Sequence, residues 1–336
     1  MVSEHGCIRI LREAMALQGL GHQVEVACPE PMWGRERLDA FHLFLGAEQL
    51  RRTVLASRAE VVHVFNEPDT LVPIVKASAG NRPVIFDVQD LNSLRWERFP
   101  DKDEVAAFEA ADGIVHISPA CRRVAEAHHG PKPGAMLACY VNESFYADPK
   151  ELPEPCWNSM VYEGGLSVGS HRADGLGDFR ALEPVVAAFA EQGFAVHLFP
   201  AGQPPAPGAY ENLGAVVHGG LAYPSLLRAI RPYGVGFVGS PFATPLMSAA
   251  LPNKLYEYIS QGVVPVCWNA TTAGNFVEGT GIGIALEGLQ DLREQIMPRV
   301  KACRKRLLER RREWTMEKHI GALDELYQVV QQKVAA

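Results

Sequence analysis

The sequence predicts two doubly wound α/β domains, each a parallel sheet covered by helices. Three observations predict it. Short apolar, β-branched runs alternate with helical patterns along the whole chain. The alternation stops at residues 142–157, where Pro149, Pro153 and Pro155 mark a linker, and then restarts. The 336 residues suffice for two domains of ordinary size. We place the first domain at 1–150, the second at 151–310, and a terminal helix at 311–336.

The elements follow in order. Residues 8–20 read as an amphipathic helix broken by Gly21, with a strand at 24–28. A doubly wound domain ordinarily opens on a strand, so the first strand is expected to be truncated. Residues 35–55 carry a further helical pattern. Strands are expected at 61–65, 83–88, 113–118 and 135–141, with helices opening after Asn66 or Asp69 and at 103–111 and 119–128. In the second series, strands are expected at 160–163, 196–200, 215–218, 234–238, 263–267 and 281–286. The helices between them fall at 180–192, 223–230 and 253–261. Residues 289–335 are helical and charged, and the basic stretch 301–312 reads as a solvated face. In sheets of this kind ligands gather at the carboxyl ends of the strands. Those ends carry Asn66 and Glu67, then Gln89 and Asp90, then Ser118.

Composition narrows the function classes. Hydrophobic residues make up 47% and charged residues 21%, as in a water-facing globular protein. A net charge of −7 argues against a general nucleic-acid surface or a strongly anionic membrane surface. The seven cysteines form no CxxC pair and suit reduced thiols, hence a cytoplasmic location. No signal peptide and no run near the ~20 apolar residues of a membrane span is read. No metal-ligand spacing is found. His128 and His129 are adjacent, so on a helix they point about 100° apart, and no structural zinc is expected.

The stretch 251–266, LPNKLYEYISQGVVPV, carries the most chemistry. Pro252 and Asn253 start a helix, Gly262 stops it, and 263–267 is a strand covered on both faces. A polar, irregular turn precedes the helix. It leaves free N–H groups at a positive dipole end, where a phosphate is favoured. Lys254 can then face a diphosphate, and Glu257, one turn on, can accept both hydroxyls of a ribose diol. The plain alternative is a surface helix with a Lys254–Glu257 ion pair worth a few tenths of a kcal/mol, roughly.

The string P-N-K-L-x-E-Y-x-x-x-G resembles the C-domain motif of retaining GT-B glycosyltransferases, specifically a subset of family 4. Segments 61–95 and 160–167 resemble the same family. The resemblance implies the GT-B architecture, two Rossmann-like domains facing across a cleft, with the last helix crossing back to the first domain. It implies sugar transfer with retention, from a UDP- or GDP-linked donor to a glycan, a lipid-linked glycan or a small acceptor. No cofactor is expected beyond that donor, and no metal. The one Asp-x-Asp, 101–103, is far in sequence from the donor motifs. Family members often work at the inner membrane face, so peripheral membrane contact is an open expectation.

The resemblance also assigns residues. Glu257 holds the donor ribose, with Asn253 and Lys254 beside it. Gly164 and Gly165, in VYEGGLS, present backbone N–H groups to the donor phosphate, though two glycines alone mark only a β-α turn. Arg172 or Arg180 supplies the loop cation, and no Lys stands in the usual place. Gly219, Gly220 and Leu221 read the donor base through the backbone. Glu67, Gln89 and Asp90 stand near the reacting sugar and acceptor. The common Asp-Val-His-Asp motif is here Asp87, Val88, Gln89, Asp90, and Gln89 cannot titrate. Glu67 is equally a solvated turn carboxylate. Two other readings stay open: an epimerase or hydrolase, which would consume donor with no acceptor present, and a non-catalytic relic that binds nucleotide-sugar, for which the loss of that His, the short start and the Lys-poor loop speak.

Overall fold

The computed structural model describes residues 1–169, 178–202 and 208–335. Two compact units emerge, one of residues 1–142 with 315–336, the other of residues 143–314.

The first unit holds strands β1 (Glu25–Cys28), β2 (Ala40–Leu43), β3 (Val62–Phe65), β4 (Val84–Val88), β5 (Gly113–His116) and β6 (Gly134–Met136). β1 pairs with β2, and β3 to β6 pair in order; every pairing is parallel. Val2 bridges Ala27 of β1 and Val64 of β3, both in parallel, and so joins the two sets. Its N–H donates to His63 O at 2.7 Å, and its carbonyl accepts from Phe65 N at 2.9 Å. Residues 1–3 therefore occupy the strand position ahead of the Ile8–Gly19 helix. The helical pattern expected over 35–55 breaks up. A single 3-10 turn, Arg35–Arg37, is followed by β2 and only then by the Gly46–Ala56 helix. Phe41, Phe44 and Leu45 sit at helical spacing, but β2 is an edge strand whose register on β1 decides the conformation.

Within this unit the Gly321–Ala335 helix shares one core with the first helix and the sheet. Leu323, Leu326, Tyr327 and Val330 join Ile10, Leu11, Phe65, Ile85 and Val115. A charged cluster lies beneath that core. Arg9, fully buried, donates to Asp87 Oδ2 at 2.9 Å and meets Glu13 at 2.8 Å. His63 lies 3.4 Å from Asp87 and bonds the Tyr327 hydroxyl at 2.7 Å. Burial pushes the Glu13 carboxyl well above its usual range, whereas Arg9 holds Asp87 below its own despite burial. Removing one member of such a buried network would leave an uncompensated charge in the core.

The second unit is one parallel six-stranded sheet. Its strands are β7 (Cys156–Gly164), β8 (Ala195–Pro200), β9 (Ala215–Val217), β10 (Tyr233–Gly239), β11 (Val264–Trp268) and β12 (Ile284–Ala285). They stand in the order β12-β11-β10-β7-β8-β9, which places β7 at the centre, where the strand order reverses. Met160, Leu198, Phe237, Val266 and Phe189 fill its core.

The unit boundary falls between Asn142 and Glu143 rather than at 150. The intervening residues are tied to the second unit: Ala147 N donates to Ser260 O at 3.3 Å, and Gln261 Nε2 donates to Phe145 O at 2.7 Å. The second unit also runs to Trp314 rather than 310. Arg311 reaches Ser260 O and Ala147 O at 2.7 and 2.6 Å, and Trp314 packs on Phe276. The basic stretch is thus not a uniformly solvated face, because Arg304 and Arg311 are buried and hold backbone carbonyls. No described helix is long and apolar enough to cross a membrane.

Candidate functional site

The Asn253–Gln261 helix is laid closely on its sheet. Gly236 of β10 makes this possible, since a Cβ there would meet the Tyr258 ring at 2.5 Å. The Tyr258 hydroxyl then accepts from Glu163 N at 3.2 Å and donates to Val161 O at 3.3 Å, so the helix is pinned to β7. Pro252 precedes the helix without a side-chain cap, and its carbonyl accepts from Leu255 N at 3.1 Å. Gly262, at φ 71°, ends it.

This placement brings the helix start to the carboxyl end of β7. Lys254 Nζ lies 4.8 Å from the centre of the Tyr162 ring and about as close to Gly164 as an ordinary side-chain contact, 3.5 Å from where a Cβ would stand. Gly164 has φ 126°, a conformation that a side chain would strain. On the next residue, Arg180 lies 3.1 Å from the Cβ position of Gly165, and Ser167 N bonds Arg180 O at 3.1 Å. Two cations therefore flank the two glycines at one strand end. Burial draws the Lys254 ammonium down, but Tyr162, Glu163 and Glu257 around it outweigh that and hold it above its usual value. Glu257 is 4% exposed, and its charge acts on the Lys254 ammonium. Asn253 opens the same helix.

Gly219, Gly220 and Leu221 follow β9 and are exposed. Open space lies where a Cβ would stand at Gly219, so its backbone is approachable. Beneath them His218 stacks on Phe199 at 4.1 Å and bonds His197 at 3.0 Å. Arg172 lies outside the described residues.

In the first unit, Glu67, Gln89 and Asp90 come together at the ends of β3 and β4. Asn66 organises them: its Nδ2 donates to Asp90 O at 2.5 Å and its Oδ1 accepts from Gln89 N at 3.0 Å. Glu67 has φ 69°, strained for a residue with a side chain. Its carboxylate pairs with Arg95, which also lies 4.0 Å from Asp90. Gln89 Nε2 points at Cys7 Sγ, 3.9 Å away.

Sequence reasoning named Asp69 only as a helix start. It is 2% exposed and accepts from Asn92 Nδ2 at 3.0 Å. Burial, then the nearby Glu104, push its carboxyl up to about 7, with Asp101 and Glu67 acting the same way. Arg95 was also missed. Its only local signal was a charge six residues beyond Gln89, too common to single out.

No protein-family model and no curated relative matches the chain. Solved structures do. Sucrose-phosphate synthase from Thermosynechococcus elongatus superposes with a TM-score of 0.69 at 13% identity, over 98% of this chain and 94% of that one. WaaG, a glycosyltransferase involved in lipopolysaccharide biosynthesis, gives 0.65 at 10% identity, over 98% and 99%. Anabaena HepE, solved in complex with UDP, gives 0.62 at 13% identity, over 99% and 97%. The chain has the fold of these proteins, the GT-B fold of two Rossmann-like α/β units.

Proposed function

We propose that the protein is a retaining, metal-independent glycosyltransferase that takes its sugar from a UDP- or GDP-linked donor. One observation carries this reading: Lys254 and Arg180 flank Gly164 and Gly165 at the end of the central strand, with Glu257 one turn along the Lys254 helix. Such an arrangement suits a diphosphate beside a diol. In the reading, Lys254, Arg180 and the backbone of Gly164 and Gly165 take the diphosphate, Glu257 takes the ribose hydroxyls, and Gly219 to Leu221 take the base. Arg172 would add a further cation. Anabaena HepE has been solved with both UDP and UDP-glucose, which supports a donor of that class.

The chemistry follows from charge. The bond between the anomeric carbon and the diphosphate oxygen breaks as a hydroxyl of the acceptor bonds the same face of that carbon. The acceptor's proton passes to the departing diphosphate, so no protein nucleophile is needed. The two cations stabilise the charge that grows on the leaving group. Glu67, Gln89 and Asp90 orient the sugar and the acceptor, which is a glycan, a lipid-linked glycan or a small hydroxyl compound. The setting proposed is the cytoplasm, with contact at the inner membrane face where the acceptor is lipid-linked.

Gln89 favours a second reading, nucleotide-sugar binding without transfer, because an amide cannot titrate. Incubation with UDP- and GDP-sugars and a panel of acceptors, read by NMR at the anomeric proton, tests the proposal. Transfer with the donor's anomeric configuration kept is expected. Inversion would refute retention, and donor binding with no product would favour the second reading.

A further inference from the structure

We propose that Glu104, His128 and His129 form a divalent-cation site in the first unit, with zinc as its best-suited ion. Adjacent histidines in mid-helix diverge, but the Pro119–His129 helix ends at His129. There both rings turn toward the Lys102–Ala110 helix. One donor atom from each of Glu104, His128 and His129 lies within 4.8 Å of the other two. Among the described residues one other group meets the same condition, Glu13, His63 and Asp87. That group is sealed from solvent and already holds the Arg9 guanidinium, 2.8 Å from Glu13 and 2.9 Å from Asp87, so its cation is built in.

The Glu104 group is different on three counts. First, it is partly open, because His128 is half-buried. Second, its histidines are already oriented. Phe108 stacks on His129 at 4.1 Å and Phe99 on His128 at 3.8 Å. His129 Nε2 lies 2.8 Å from Glu104 Oε1, while His128 Nδ1 is buried with no hydrogen-bond partner among the described residues. The other oxygen of Glu104 accepts from Ser93 N at 2.7 Å, the kind of outer bond that fixes a ligating carboxylate. Third, negative charge accumulates there. Glu104, Asp101 and Asp69 are 0%, 3% and 2% exposed, and among the described residues the Lys or Arg side chain bonded to them is Arg98, on Asp101. A dication would relieve that excess.

Two imidazole nitrogens and one carboxylate oxygen, with a fourth position for water, suit zinc rather than magnesium or calcium. Zinc held about 2.0–2.2 Å from each ligand sets the ligand atoms about 3.4 Å apart. The 2.8 Å pair must then open slightly and the widest pair close by somewhat more, within reach of side-chain rotation at a helix end. The ion would clamp the Lys102–Ala110 and Pro119–His129 helices and, through Ser93, the short helix that carries Arg95. This site belongs to the first unit and does not depend on donor binding in the second.

The test uses the full chain, stripped with EDTA and dialysed, then titrated with zinc chloride in a calorimeter and melted with and without the ion. One saturable zinc per chain and a raised Tm are expected, with no rise from magnesium. His128→Phe keeps a ring on Phe99 but removes a ligand; its metal-free Tm should match the parent, and its zinc response should fall at least tenfold in affinity. His128→Gln reads the same loss should the Phe variant not fold. Glu104→Gln should lose the zinc response as well. A parent protein that takes up no zinc, or a His128 variant that binds zinc as the parent does, would overturn the proposal.

Discussion

The strand ends of the two units carry opposite chemistry. At the end of β7 in the second unit, two glycines expose backbone and two cations, Lys254 and Arg180, lie against them. At the ends of β3 and β4 in the first unit, the side chains are Glu67, Asp90 and the buried Asp69, with Arg95 between the first two. One end is built to receive an anion, the other to repel one and to offer acceptors to hydroxyl groups. Two sheets of similar topology thus differ where ligands gather, and the difference lies in which residues follow the strands rather than in the strands themselves.

The largest test of that contrast is the Asp69 carboxyl. Its unfolded value is the ordinary 3.8 and its folded value is about 7. A raised carboxyl favours the folded state while protonated, so its contribution is present below about 4 and is lost as pH climbs to about 7. The loss is of order 4 kcal/mol at most, at 1.4 kcal/mol per pH unit. Urea unfolding from pH 4 to 8 in the presence of EDTA should show stability falling over that window, and Asp69→Asn should flatten the fall. A profile identical in the variant would remove Asp69 as its source.

The cationic end comes next. Lys254→Met keeps the stem over Tyr162 but deletes the charge. Affinity for UDP or GDP should fall by about ten- to a hundredfold, the scale of a lost charge-assisted contact. The drop should shrink in high salt, because screening weakens the parent's contact. Arg180→Gln should fall less, since Arg180 is exposed and its charge is already shared with water. Equal affinity in Lys254→Met and the parent would leave the glycine turn without its cation. The smallest expected effect is in the first unit. Gln89→Ala and Asp90→Asn should leave nucleotide affinity within about twofold while lowering the transfer rate. A nucleotide affinity that falls in those variants would blur the division of labour.

Local signals were legible in the sequence and composite ones were not. The helix at 253–261 was readable because its stop residue, apolar face and following strand all lie within one short stretch, and the structure ends it at Gly262. The glycines after Glu163 were readable for the same reason. Asp69 was not, since its environment is assembled from Glu104, Asp101 and Glu67, which only the fold gathers. The gathering of Glu104, His128 and His129 was not readable either, because Glu104 comes from a different helix and only the fold brings it to the end of the Pro119–His129 helix. β2 was hidden by an apolar spacing that fits a helix equally well. Arg304 and Arg311 looked solvated because composition does not reveal which basic residues turn inward to hold carbonyls such as Ser260 O.

The central claim is that a nucleoside diphosphate docks at the start of the 253–261 helix with Glu257 gripping its ribose. Calorimetric titration of UDP and GDP into the parent and into Glu257→Ala tests it most directly, with circular dichroism confirming that both are folded. The account predicts micromolar-range binding of one nucleotide by the parent and at least a tenfold weaker constant in the variant. Equal dissociation constants, or no binding of either nucleotide by the parent, would contradict it.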